Sequence, residues 1–171
     1  MNFERPIDPG ESTKPNLRVA GKETYLYRAV DSQGVTIDFL LSPRRDAAAA
    51  KLFFQKALRD AGHARPRVIN VDGNPSYPRV ISELKSTGSL GRRCKCRPAP
   101  YLNNLVEQDH RAIKRRVRTS QGFRNFLAAT RTIQGIETVH MIRKGQVKWL
   151  PKGDILGQIQ FVNELFGIRI R

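Results

Sequence analysis

The sequence predicts an α/β fold in which a mixed sheet carries helices on its faces. Three observations predict it. The runs "TYLYRAV" and "VTIDFLL" are rich in aromatic and β-branched residues and flank the turn "DSQG", which predicts an antiparallel hairpin. "RVINV", residues 67–71, is a short continuous apolar run, the pattern of a strand buried on both faces. Helical periodicity fills the segments between and after them. The order is hairpin, helix, strand, helix, loop, helix, helix.

Each element has its own reason. Residues 1–20 hold Pro6, Pro9, Gly10 and Pro15 and few large apolar groups, so they read as an irregular arm outside the core. The folded domain is then expected over 21–171. In "SPRRDAAAAKLFFQKALRDAG", Ala50, Phe53, Phe54, Ala57, Leu58 and Ala61 form one apolar stripe, and Gly62 ends the helix. "YPRVISELKSTG" predicts a short helix stopped by Gly88. Residues 89–100 read as a basic loop. Helices are expected over about 104–118 and 123–144, and "ILGQIQFVNELFGI" predicts a last one.

The charge narrows the function. Lysine and arginine number 31 against 15 aspartates and glutamates, a net charge of +16. Most of the positive residues lie between Arg44 and Arg171 without one dominant block, so the folded domain itself carries the field. Such self-repulsion is explained most simply by a polyanionic partner, and nucleic acid is the expected one. A ribosome-associated or membrane-surface protein is the bland competitor. No apolar run reaches the roughly eighteen residues a membrane span needs, and the first residues lack the apolar middle of a signal peptide. The two cysteines, Cys94 and Cys96, make no disulfide framework and no zinc site with a second ligand pair. Two free thiols in a reducing cytoplasm are expected.

Two carboxylates stand out. Asp72 follows the predicted strand 67–71, and α/β sheets place ligands at the carboxyl ends of strands. Gly73 and Asn74 let the chain turn there, and a turn-forming role for Asp72 is the plain alternative. Glu107 lies three residues after Asn104, an arrangement that also caps a helix. At about 100° per residue, Val106, Ile113 and Val117 share an inward face. Glu107, Arg111, Lys114 and Arg118 line up beside it. An acidic metal ligand with phosphate-gripping cations behind it would look like this, and so would simple ion pairing between Glu107 and Arg111.

Asp72 and Glu107 are separated by 34 residues (107 − 72 − 1), and Lys114 follows Glu107 by seven. Together with "TYLYRAVDSQGVTIDFLLSPRRDAAAAKLFFQKAL", "VDGNPSY", "YLNNLVEQDHRAIKRRV", "GFRNFLAATRTIQGIE" and "RKGQ", this resembles the DDE transposases of bacterial insertion sequences, in the "IS six" family. These segments run over about residues 24–146. The resemblance implies a ribonuclease H-like fold, a mixed sheet flanked by helices. It implies metal-dependent cleavage and strand transfer on DNA, with two Mg2+ (or Mn2+) ions in an intact site. By the same resemblance Asp72 and Glu107 are the second and third catalytic acids and metal ligands. Lys114 contacts DNA near the cut end, with Arg111 and Arg118 as further DNA contacts. The partners implied are transposon ends and target DNA, with a homo-oligomer as the working form and a cytoplasmic, nucleoid-associated location.

The resemblance breaks at the first acid. A gap-free count back from Tyr25 puts that position at Thr13, which carries no carboxylate. Glu11 lies two residues away, but Gly10 and Pro15 argue against a central strand there. The helix-turn-helix region expected upstream has no counterpart in residues 1–20. A shortened copy with impaired catalysis is therefore expected. A catalytically dead, basic DNA-binding remnant of a transposase is the alternative, and a general RNA-binding protein a third reading.

Smaller features complete the set. Trp149 among Arg143, Lys144, Lys148 and Lys152 is expected either to touch nucleic acid or to anchor the last helix. Arg44, Arg45, Arg92, Arg93, Lys95 and Arg97 suit phosphates non-specifically. His110 resembles a family histidine, while His63 and His140 have no role legible in the sequence.

Overall fold

The computed structural model describes residues 2–4, 17–31, 34–59, 66–71, 76–98, 115 and 122–168. They divide into two compact units, Met1–Phe126 and Leu127–Arg171.

The first unit is built on a mixed sheet. The expected hairpin is present as β3 (Lys22–Val30) and β4 (Thr36–Ser42), after two short strands, β1 (Asn2–Glu4) and β2 (Leu17–Val19). β3 and β4 are antiparallel from Tyr25 opposite Ser42 to Val30 opposite Thr36. Asp31 closes their turn, accepting from the Val35 amide through its carboxylate at 2.9 Å. β5 (Val68–Val71) and β6 (Lys95–Pro98) form a parallel pair, and β1 joins the two pairs. It runs antiparallel to β3, with Glu4 opposite Arg28, and parallel to β5, with Asn2 level with Asn70. The order β4-β3-β1-β5-β6, two antiparallel pairings followed by two parallel ones, is the sheet of a ribonuclease H-like domain.

Two departures from expectation have physical causes. The stretch expected as an irregular arm over 1–20 contributes two strands, because β3 and β5 each need a backbone partner on the side that β1 fills. β2 is returned to β3 by Ala20 and Gly21, both at positive φ (50° and 76°), as a two-residue hairpin turn requires. Residues 95–98, expected as loop, are β6. "KCRP" has no apolar run, and its ladder with β5 creates the strand.

The helices follow the predicted stripes. α1 (Ala47–Arg59) starts later than expected because Asp46 caps it, accepting from the Ala49 amide at 2.8 Å. It buries Ala49, Ala50, Phe53, Phe54 and Ala57. Ala61 and Gly62, expected at its end, lie outside the described residues. α2 (Ser76–Ser86) buries Tyr77, Val80, Ile81 and Leu84 and ends at Gly88, whose φ of 76° allows the chain to turn away. A row of rings links sheet and helices. Tyr27 meets Phe53 at 5.6 Å, Phe53 meets Phe54 at 5.8 Å, and Phe54 meets Tyr77 edge-on at 5.7 Å. Burial pushes the Tyr27 hydroxyl from the usual 10.0 up to about 12, with the nearby Asp46 carboxylate adding to it. The stability tied to its neutral form is complete below about pH 10 and is lost as pH rises towards about 12.

In the second unit, α3 (Phe126–Arg143) buries Ala129, Ile133, Glu137 and Ile142. α4 (Ile155–Leu165) is capped by Asp154, which accepts from the Gly157 amide at 2.9 Å. None of its residues is buried, and Ile155, Leu156, Ile159 and Leu165 are exposed, with Phe166 just beyond. Gly145, in the "RKGQ" stretch, has φ 73°, and a Cβ there would meet the Lys152 backbone nitrogen at 2.5 Å.

Two outcomes are expected in urea denaturation. Phe53→Ala should cost about 3–5 kcal/mol, because the ring is fully buried in the core. Gly145→Ala should destabilise by about 1–3 kcal/mol through strain and close approach. Gly91→Ala, where a Cβ meets nothing within 4 Å, is the control expected to stay near neutral.

Candidate metal and nucleic-acid site

The sheet defines where a site would form. β1 and β5 are neighbours and parallel, so their carboxyl ends open on the same rim. β5 ends at Val71, and Asp72 is the next residue in the chain. Asp72 and Glu107, the expected metal ligands, lie outside the described residues. So do Arg111, Lys114 and Arg118, expected on DNA, and Glu11, Thr13, His63 and His110. Within the helix expected over 104–118, Arg115 is described, and it is helical and exposed.

The described part of the frame is rigid where it approaches this rim. Ile69 and Val71 are buried among Tyr27, Phe53, Tyr77 and Val80 in one core, so β5 cannot shift without disturbing that packing. Arg28, opposite Glu4 in the register, is fully buried within the apolar run of β3 and donates from Nη2 to Thr36 Oγ1 at 3.5 Å. Glu137, on the inward stripe of α3, is fully buried as well. Neither charge was singled out from the sequence. The signal was there in both cases: an arginine inside an apolar strand, and a glutamate four residues beyond Ile133 on the apolar side of a helix.

The surface cations fall into two kinds. Lys56 is engaged locally, donating to Asp38 Oδ1 at 2.7 Å and the Phe39 carbonyl at 2.8 Å while lying over the Phe39 ring. Lys51 pairs with Glu83. By contrast, Arg92, Arg93, Lys95 and Arg97 are exposed and have no carboxylate partner among the described residues. Lys95 and Arg97 lie on β6, the last strand of the sheet order, alternating with Cys96, which together with Cys94 just before the strand packs against the core. That leaves a cationic strand edge suited to phosphates. Trp149 is 76% exposed, so it does not anchor the last helix to a core.

Among the described residues, no group of three His, Cys, Asp or Glu is placed to hold a metal ion. Cys94 and Cys96 are free thiols, as expected. Burial pushes both up from their ordinary value, against the opposing pull of the Lys85 ammonium. They are therefore neutral at physiological pH, weak nucleophiles and weak zinc ligands. Alkylation by iodoacetamide should be slower than for glutathione at pH 7. The rate should still be climbing with pH where that of a free thiol has levelled off. A glutathione-like rate and profile in the native protein would contradict this.

Comparison with known proteins agrees with this fold. The family model for the DDE domain of IS240-type transposases matches residues 15–146. The transposase for insertion sequence-like element IS431mec of Staphylococcus aureus is 34% identical over 128 residues, covering 75% of this chain and 54% of that protein. The transposase for insertion sequence element IS257 in transposon Tn4003, also from Staphylococcus aureus, matches to the same extent. An uncharacterised protein of Yersinia pseudotuberculosis, pYV0051, is 39% identical over 80 residues, 46% of this chain. The chain belongs to the DDE transposase-domain family of insertion sequences. It spans about half the length of the transposases it matches.

Proposed function

We propose that this chain acts in DNA transposition, as a metal-dependent core that cuts a DNA strand and joins its end to a new site. The observation that carries the reading is the family match across residues 15–146, on a sheet whose β5 ends immediately before Asp72. Domains of this family use divalent metal ions. The expected donors, the carboxylates of Asp72 and Glu107, offer only oxygen, which suits a hard cation such as Mg2+ or Mn2+. Bound there, two such ions would activate the attacking water or 3′-hydroxyl and steady the leaving oxygen. Lys114, Arg111 and Arg118 would grip the DNA backbone beside them. The exposed row of Arg92, Arg93, Lys95 and Arg97 would add contacts that carry no sequence information. The working partners are transposon ends and target DNA, in an oligomer that holds both, in the bacterial cytoplasm at the nucleoid. Thr13 supplies no carboxylate, so turnover is expected to be impaired relative to a site with three acids.

A second reading is favoured by that same residue: a DNA-binding remnant without turnover. A labelled duplex carrying the element's terminal repeat separates the two. Strand cleavage or transfer that requires Mg2+ or Mn2+, and falls to background in Asp72→Ala and in Glu107→Ala, is the expected outcome. Activity unchanged by both substitutions would remove these residues from the site. Under either reading the DNA affinity should fall steeply with salt, by a log–log slope of about 0.9 per phosphate neutralised.

A further inference from the structure

The second unit carries an aromatic group that the fold does not use. Trp149 is the single tryptophan of the chain, is 76% exposed and lies beyond residues 15–146, the part covered by the family match. It stands at the third position of a tight turn, in which the Leu150 amide donates to the Val147 carbonyl at 3.0 Å. The turn is braced at both ends. Before it, Gly145 runs so close to the Lys152 backbone that a Cβ has no room. After it, Leu150 is buried, and Gln158 Nε2 on α4 donates to the Pro151 carbonyl at 3.1 Å. The indole is thus held in water on a fixed turn, where it gains nothing for folding by burial.

The charges beside it are of one sign. Residues 141–153 contain Arg143, Lys144, Lys148 and Lys152 and no aspartate or glutamate. Arg143, Lys148 and Lys152 are exposed and have no carboxylate partner among the described residues. Asp154, the next acid along the chain, is committed to capping α4. An aromatic face among cations suits a ligand that is itself flat, aromatic and anionic. An unpaired nucleobase with its flanking phosphates has all three properties. A base inside a duplex does not, because its neighbours already cover both of its faces.

We propose that Trp149 stacks on an unpaired base of single-stranded DNA, with Lys148 and Lys152 on the adjoining phosphates. The choice of DNA rests on the reading of the chain as a transposition core, since cutting a strand frees bases at its end. A ring held on a braced turn loses little freedom on binding, so the stacking goes into affinity. The competing role is the docking of another protein, to which an exposed tryptophan is also suited.

With one tryptophan in the chain, its fluorescence reports this residue alone. An oligothymidylate of about 16 nucleotides, added to the full chain, should quench it. A strand of the same length with abasic sites throughout has the phosphates without the bases. It should bind more weakly and leave the emission unquenched. By anisotropy of a labelled strand, Trp149→Ala should weaken oligothymidylate binding about 5- to 100-fold. The abasic strand should bind it as it binds the parent, and Trp149→Phe should recover part of the loss. Lys148→Gln with Lys152→Gln should weaken both strands and lower the log–log salt slope by about 1.4, at roughly 0.7 per phosphate. Equal quenching by the two strands would overturn the proposal. So would an unchanged oligothymidylate affinity in Trp149→Ala, which would leave Trp149 to a protein partner. Metal-dependent strand transfer with no quenching by oligothymidylate sinks the stacking alone. Quenching without metal-dependent cleavage supports the stacking and counts only against the catalytic reading.

Discussion

The sheet of the first unit is continuous only through β1. On one side lie β3 and β4, on the other β5 and β6, and three residues from the start of the chain join them. The neighbours they meet are deeply buried: Ala29 and Val30 on β3, Ile69 and Val71 on β5. A backbone amide or carbonyl left unpaired at that depth costs about 1–3 kcal/mol, and an empty strand position would leave several. Twelve residues (17 − 4 − 1) separate Glu4 from Leu17. Closing a loop of that length adds a length-dependent cost of only about 2 kcal/mol. The hydrogen-bond demand of the two inner edges therefore outweighs the entropy of bringing a distant segment between them.

That balance explains what was legible beforehand. The hairpin and β5 carry runs of apolar, aromatic or β-branched residues, α1 and α2 carry apolar stripes, and the structure contains all four. α3 and α4 follow the same rule. β1 and β6 could not be read in this way. "NFE" and "KCRP" have no alternation long enough to register, and both are strands because β3 and β5 offer them edges. Pro6, Pro9, Gly10 and Pro15 predict an irregular arm over 1–20, and they give no sign of the short strands Asn2–Glu4 and Leu17–Val19. The expected site residues Asp72 and Glu107 rest on spacing and resemblance in the sequence, and both lie outside the described residues.

Electrostatics divides the molecule along similar lines. Buried charge is used sparingly and within regular elements, as Arg28 and Glu137 illustrate. Lys51 and Lys56 are occupied with acids on neighbouring elements. The uncompensated cations described above gather on β6 and the turn leading into it, at the edge of the sheet. A net charge of +16 is thus not spread as uniform repulsion. Part of it is concentrated where a polyanion can meet a rigid strand rather than a loose tail.

α4 adds an opposite tendency. Its apolar residues form an uncovered ridge on a chain of strongly one-signed charge. In dilute buffer, like charge holds copies apart. Once added electrolyte shrinks the reach of that repulsion to about 10 Å or less, the ridges remain as attractive as before. Ionic strength thus pulls the molecule two ways, stripping it from nucleic acid while encouraging copies to clump. The colloidal behaviour of the protein is therefore best when a polyanion is bound and worst when it is bare in concentrated brine.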